Sequence, residues 1–369
     1  MELVKCAKDV LLNPLSVVCG IVERRHTLPV LANVLFRKTS DVLTLTSTDI
    51  EIQIKTQITV EISNEDVNTT VNAKKLLDIL KALPDGKDVA LNLKDSKVAI
   101  TSGKSKFNLQ TLSANDFPEM KTDGFSKTIT LKQSDLTNLL KKADYAMAVQ
   151  DIRYYLNGML MIVEGKQLAV VATDGHRLAY ANTATDEDLG DKKEFILPRK
   201  TVMELQRLLK DSDDTVKIEL SNNQIRLTFN DIELTSKLVE GKFPDYQKVI
   251  PLEYSKQIPI NRVQLQQALQ RVSILSNEKF KGVRCLVEAN TIKITSTNTA
   301  QENALEELDC EYSGDPLDIG FNVVYLLDLL SHQKTENIVL NLGQSANQSV
   351  LITTTEDPSF RYVVMPMRI

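Results

Sequence analysis

The sequence predicts an α+β fold made of three copies of one unit, each with two helices packed on antiparallel sheet. Three observations predict it. The first is a repeat with a steady step. Leu43–Thr48 runs into Asp49, Leu168–Thr173 into Asp174, and Ile292–Thr297 into Asn298. The step is about 125 residues, which is too long for a solenoid unit and is the size of a small domain. Other landmarks keep it: Asn33, Asn157 and Lys281; Gly158 and Gly282; Lys75, Lys200 and Val324; Leu80, Leu205 and Leu329. The second observation is six stretches whose apolar residues recur every three to four positions. The third is the alternating apolar and polar stretches between them.

In the first copy Leu11, Leu15, Val18 and Val22 make one face of a helix within residues 8–25. Val42 to Glu51 then alternates, is rich in Thr, and reads as half-buried strand. Leu76, Ile79, Leu80 and Leu83 mark the second helix, stopped by Pro84-Asp85-Gly86. Val89 to Ile100 alternates again. The second copy has Leu136, Leu139, Leu140, Ala143 and Met147 within a helix over 132–149. It then has Val202, Leu205 and Leu209, and alternation from Val216 to Phe229. The third has Leu265, Ala268, Leu269 and Val272, then Val323, Leu326, Leu327 and Leu330, and alternation from Ile338 to Ile352. Turn formers at Lys121–Gly124 and between Pro251 and Pro259 divide the copies. The expected domains are 1–122, 128–251 and 257–369.

Composition narrows the class. The 369 residues suit three domains of ordinary size. No apolar run approaches the roughly 18 residues of a membrane span, and Met1–Cys6 lacks the layout of a secretion signal. Cys6, Cys19, Cys285 and Cys310 are scattered and read as reduced thiols of a cytoplasmic protein. A net charge of −5 argues against a nucleic-acid partner unless the charge is segregated. It is segregated. The six helical windows (8–25, 74–82, 132–149, 199–210, 262–275 and 322–333) together hold +8, which leaves −13 in strands and loops. Helices sharing one face would attract phosphate there and repel it elsewhere.

Several stretches now carry a family resemblance. They are Thr27–Pro29, Asp151–Gly158, Ala172–Ala179, Ser236–Val239, Phe243–Tyr246, Ile274–Phe280 and Tyr362–Ile369. In this order and over this length the chain resembles the bacterial DNA sliding clamps, the beta subunits of replicative DNA polymerase III. The resemblance implies the DNA clamp fold and a head-to-tail homodimeric ring whose helices line a central hole. Duplex DNA would thread the hole without sequence reading. The implied role is to tether the polymerase III catalytic subunit, the clamp loader and other proteins with a clamp-binding motif. It implies neither cofactor nor metal nor membrane.

Carried over position by position, the resemblance implies three sites. The deep part of a partner-peptide groove would be Thr173, Gly175, His176, Arg177, Leu178, Pro244, Lys248, Val249, Val363 and Met365. Its shallow part would be Arg153, Tyr155, Leu156, Ser349, Pro366, Met367 and Arg368. Aliphatic and Met side chains suit several partners, and Arg and His at the rim suit peptide carbonyls and carboxylates. The family often has two basic residues after Phe-Pro-Asp-Tyr, and here they are Gln247 and Lys248. DNA contacts would come from Arg25, Lys74, Lys75, Gln150, Tyr154, Tyr155, Arg199, Lys200 and Lys248. The ring joint would use Phe107 and Leu109 on one side, Ile274 and Leu275 on the other, with Lys74 facing Glu302, Glu306 and Glu307.

Catalysis is the competing class. Asp174 and His176 resemble an acid–base pair, yet the repeat puts Asp49 and Asn298 at the place of Asp174 without any His, which fits a turn former better. Gly103-Lys104-Ser105 resembles the end of a phosphate loop, but Val98 stands where its first Gly is required. Three His and unclustered Cys offer no metal site.

Overall fold

The computed structural model describes residues 1–23, 28–60, 66–121 and 124–368. Arg25 therefore lies outside the described residues. The six helices found among them are α1 (Lys8–Val18), α2 (Ala73–Ala82), α3 (Gln133–Lys141), α4 (Arg199–Leu208), α5 (Arg262–Ser273) and α6 (Val323–His332). None is long and apolar enough to cross a membrane.

Their apolar faces are the ones the spacing predicts. Leu11, Leu15 and Val18 of α1 are fully buried, as are Leu76 and Leu80 of α2 and Leu269 and Val272 of α5. Each such side chain contributes about 1.5–3 kcal/mol by leaving water. Three helices begin where a strand ends in Asn. Asn72, Asn261 and Asn322 accept from the backbone N–H of Lys75, Gln264 and Val324 at 3.0, 3.1 and 3.0 Å. These caps satisfy first-turn donors that have no partner within the helix.

The strands fall into two recurring arrays. One has four strands in which the fourth lies beside the first. It comprises Asn33–Thr39, Val42–Thr48, Ile52–Thr59 and Val67–Asn72 in the first copy. The second copy uses Gly158–Glu164, Gln167–Thr173, Arg177–Ala184 and Lys193–Pro198 in the same order. The third uses Gly282–Glu288, Thr291–Thr297, Asn303–Asp309 and Leu317–Asn322. The other array is a meander. It is Glu2–Ala7, Asp88–Lys94, Lys97–Ser102 and Ser105–Leu112 in the first copy. Its counterparts are Lys127–Lys132, Thr215–Leu220, Gln224–Phe229 and Ile232–Lys237, then Lys256–Asn261, Asn337–Leu342, Val350–Thr353 and Arg361–Val364. All the pairings are antiparallel, as the alternation requires.

The chain forms two compact units, Met1–Ser134 with Met203–Leu238, and Asp135–Val202 with Val239–Ile369. In the first unit, Ile52–Thr59 pairs with Ile232–Lys237, which joins first-copy to second-copy strands in one twelve-stranded sheet. In the second, Arg177–Ala184 pairs with Arg361–Val364 in an eight-stranded sheet, and four strands form a separate sheet ending at Asn303–Asp309.

Local structure departs from the sequence reading in two ways. The first helices are shorter than their apolar stripes. α1 stops at Val18, a 3-10 turn follows over Cys19–Ile21, and Val22 is extended. α3 stops at Lys141, and Asp144–Ala146 is another 3-10 turn, with Ala143 at φ −131°. Here the Tyr145 carbonyl accepts from Arg177 Nη2 at 2.6 Å, a tertiary bond in place of a helical one. The alternating stretches are also hairpins, not single strands. Val89 to Ile100 reverses at Asp95 and Ser96, both at positive φ (47° and 58°), and alternation resumes beyond the turn shifted by one residue, from Val89 and Leu91 to Val98 and Ile100.

Candidate functional site

The second copy places its conserved-step turn, Thr173 to Arg177, at the mouth of a groove. The Thr173 hydroxyl donates to the Arg177 carbonyl at 2.6 Å and accepts from Gly175 N at 3.1 Å. Asp174 Oδ1 accepts from His176 N and Arg177 N at 2.9 and 3.0 Å. The first copy builds the same turn. Thr48 Oγ1 donates to the Ile52 carbonyl and accepts from Ile50 N, and Asp49 Oδ1 accepts from Glu51 N and Ile52 N. Asp174 is thus a turn-closing acceptor. Gly175 sits at φ +89°, and an added Cβ would lie 3.0 Å from the Arg153 guanidinium.

The groove is about 170 Å³ and its walls are mostly apolar. Thr173, Gly175, His176, Arg177 and Leu178 line one side, with Val363 and Met365 beside them. That adjacency follows from the sheet: Leu178 pairs with Val363, Arg177 with Val364, and Met365 N donates to the His176 carbonyl at 2.9 Å. Pro244, Tyr246, Val249, Arg153 and Leu156 complete the lining. Behind it lies a core of Leu156, Leu160, Val171, Leu178 and Val363, against which Tyr155 packs.

Arg177 is not a rim group. Its side chain is only 9% exposed. Nε donates to Asp174 Oδ2 at 3.1 Å, Nη1 to Asp328 Oδ2 at 2.6 Å, and Nη2 to the Tyr145 carbonyl. Its guanidinium stands 4.6 Å from the Tyr325 ring centroid. The exposed polar groups are His176, whose ring stacks on Tyr325 at 6.3 Å, and Arg153, which pairs with Asp151 at 2.8 Å. The Arg153 side chain and amide hold the Asp151 carboxyl down at about 2. Beneath, the Tyr145 ring stacks on His332 at 4.5 Å, and burial pushes its phenol well above the ordinary range.

The remaining expected groove residues lie elsewhere. Met367 N donates to the Gly320 carbonyl at 2.8 Å, which turns the chain away after Met365. Met367 and Arg368 consequently line a different hollow with Asn277, Phe280 and Arg284. Lys248 is exposed and paired with Asp245 at 3.1 Å, and Tyr155, Ser349 and Pro366 do not line the groove. Tyr246 does line it, and sequence reasoning passed over it although it closes the Phe243–Tyr246 stretch.

Lys74 and Lys75 are exposed in the first turn of α2, and Arg199 and Lys200 are half-buried in the first turn of α4. Gln150 is exposed at φ +54°, and Tyr154 is exposed with its ring edge-on to Tyr155. Phe107 is exposed and Leu109 half-buried along Ser105–Leu112. Ile274, 77% exposed, follows α5, with Leu275 half-buried beside it. Glu302 and Glu307 are exposed, whereas Glu306 is held by Arg271 at 2.6 Å.

Comparison with known proteins decides the family. Profiles of the DNA polymerase III beta subunit match throughout: the N-terminal domain at residues 1–121, the central domain at 130–245 and the C-terminal domain at 247–368. The chain belongs to the DNA polymerase III beta subunit family. The beta sliding clamps of Pseudomonas putida and Escherichia coli K12 are 44% and 42% identical to it, over 98% of each chain. The crystal structure of the Pseudomonas aeruginosa DNA polymerase III subunit beta superposes with a TM-score of 0.96 at 42% identity, covering 100% of both chains. The solved structure of Caulobacter crescentus pol III beta gives 0.95 at 35%, also over 100% of both chains. This is a family of non-catalytic processivity factors, in keeping with an Asp174 and His176 that serve a turn and a groove wall.

Proposed function

We propose that two copies of the chain close head to tail into a ring around duplex DNA, and that the groove tethers replication proteins to it. The observation that carries this reading is a pair of open sheet edges. In the first two copies the third strand of the four-stranded array pairs with a meander's last strand: Ile52–Thr59 with Ile232–Lys237, and Arg177–Ala184 with Arg361–Val364. In the third copy the equivalent strand, Asn303–Asp309, has no partner on its outer side among the described residues. The remaining meander strand, Ser105–Leu112, meets Val67–Asn72 only through Leu112 and Thr111, so Ser105 to Gln110 keeps a free side. Each open edge is the repeat-equivalent of the other's missing partner.

Antiparallel pairing of these edges between two copies satisfies both backbones and removes an aggregation hazard. A head-to-tail contact that closes on itself gives a ring. The sides complement each other. Lys104 and Lys106 flank Phe107 and Leu109, while Glu302, Glu306, Glu307 and Asp309 flank Leu305, which is 56% exposed. Ile274 and Leu275 lie at the same joint, and Lys74 faces its acidic side.

Three domains per chain, 1–122, 128–251 and 257–369, give six in the ring and twelve helices around the hole. Lys74 and Lys75 in α2, and Arg199 and Lys200 in α4, stand at helix starts. There the dipole already favours anions and cations cost stability, a placement that suits phosphate. Arg25, Gln150, Tyr154, Tyr155 and Lys248 complete the DNA set. The contacts are sequence-independent and the protein works in the cytoplasm. The groove takes short peptides bearing a Gln and terminal Leu or Phe anchors, from the polymerase III catalytic subunit, the clamp loader and other proteins with such a motif. Tyr155, Lys248, Ser349, Pro366, Met367 and Arg368 extend the path beyond the deep pocket.

Sedimentation equilibrium tests the closure. The parent should be dimeric at micromolar concentration, and the Ile274→Ala, Leu275→Ala double variant should be a folded monomer. A monomeric parent would overturn the reading.

A further inference from the structure

We infer that Asp328 and Tyr325 of α6 are positioning residues for the groove, acting on it through Arg177. The inference rests on the groove being the peptide site. Arg177 is nearly closed off from solvent and its Nε, Nη1 and Nη2 are all engaged, so an incoming carboxylate cannot use it without breaking those bonds. What it does is join a helix to a turn. From α6 a continuous chain of hydrogen bonds runs to the groove wall. Asp328 Oδ2 accepts from Arg177 at 2.6 Å, and Arg177 donates on to Asp174 at 3.1 Å. Asp174 accepts from His176 N at 2.9 Å, and the His176 carbonyl accepts from Met365 N at 2.9 Å. The bonds to Asp328 and Asp174 are charge-assisted, which makes them the strong ones, and they hold direction as well as distance.

The same face of α6 makes two further contacts with the second copy. Tyr325, Asp328 and His332 stand at i, i+3 and i+7 and so share a side. Tyr325 supports both the guanidinium and the His176 ring, and His332 stacks on Tyr145. The Tyr362 hydroxyl donates to the Tyr325 carbonyl at 3.0 Å, tying α6 also to the strand that leads into Met365. The turn carrying His176 and the strand leading into Met365 therefore both take their positions from one helix that contributes no lining residue. Removing the Asp328 charge leaves Arg177 buried and undercompensated, so the turn carrying His176 loses its register.

The test compares the parent with Asp328→Asn, Asp328→Glu and Arg177→Lys, each checked for an unchanged dimer by sedimentation. A fluorescent peptide with a Gln and terminal Leu-Phe is titrated, and the ring signals of His176 are followed by NMR without peptide. Asp328→Asn should weaken the peptide about tenfold and shift the His176 signals. Arg177→Lys, which keeps charge but loses the fork, should do the same, and combining the two should add little. Asp328→Glu should restore part of the affinity. A His176→Ala, Met365→Ala variant reports on the groove itself. If the parent binds and that control does not, but Asp328→Asn binds like the parent with His176 unmoved, the inference is overturned. If the parent does not bind, the groove reading fails, and an unmoved His176 signal still refutes positioning by Asp328.

Discussion

Arg207 donates through Nη2 to the Val17 carbonyl at 2.7 Å, passing directly over Gly20. A Cβ on Gly20 would stand 2.1 Å from that same nitrogen. The glycine is there for space, since α1 ends just before it and the guanidinium, held by Glu204 at 2.7 Å, reaches the helix's last carbonyls. Gly20→Ala should displace Arg207 and cost about 1 kcal/mol, the value of a partly exposed charge-assisted bond. In an Arg207→Ala background the same change should cost much less, because only the Glu204 carboxylate, 2.6 Å from the added Cβ, is left to move aside. Thermal unfolding of the four proteins in the cycle checks this, and additive losses would show that the two residues do not share one contact.

Lys142 and Asp357 form a second tie, at 2.5 Å, between second-copy and third-copy segments. Burial pushes the Asp357 carboxyl up, but Lys142 and the Ser359 hydroxyl outweigh it and hold the pKa below the ordinary carboxylate range. A group depressed in the folded state adds stability that is present above its unfolded pKa of about 4 and is lost as pH falls through the lower folded value. Asp357→Asn should therefore lower Tm at pH 7, and the gap from the parent should narrow as pH drops below the ordinary carboxylate range. A gap that stays constant into that acid range would contradict the assignment.

The helical charge makes a prediction about DNA. Reversing Lys74, Lys75, Arg199 and Lys200 to Glu should leave the dimer intact and cut retention on nicked circles at least about tenfold at moderate salt. Raising the salt should weaken the parent toward the variant. Retention that is indifferent to all four reversals would mean that these helix starts do not face the duplex.

The triplication was legible because it rests on residues that close turns and start strands. Asp49 and Asp174 hold the same backbone N–H pair, so chemistry keeps them alike. The apolar faces were legible for the same kind of reason. Helix ends were not, because a stripe such as Leu136 to Met147 continues in phase through a 3-10 turn that a distant arginine fixes. Hairpins such as Val89 to Ile100 read as one strand because apolar and polar residues alternate on both sides of the turn, and only a one-residue shift of phase between Leu93 and Val98 marks it. In the groove, Val363 and Met365 came from the resemblance and lie beside His176, as a strand pair dictates. The sequence could not show that Arg177 faces inward. Its partner Asp328 is a lone acidic residue on a helix, which reads as solvated until Arg177 is found against it. Met367 and Arg368 leave the groove through a single backbone bond to Gly320, and spacing carries no trace of such a bond.

The most direct test of the ring is topological. Protein loaded by a clamp loader onto a singly nicked circular duplex should travel with the DNA through gel filtration at a salt concentration that abolishes ordinary phosphate binding. One restriction cut that linearises the circle should release it, because only closure around the duplex holds it there. A protein that leaves the uncut circle as fast as the cut one would contradict the account.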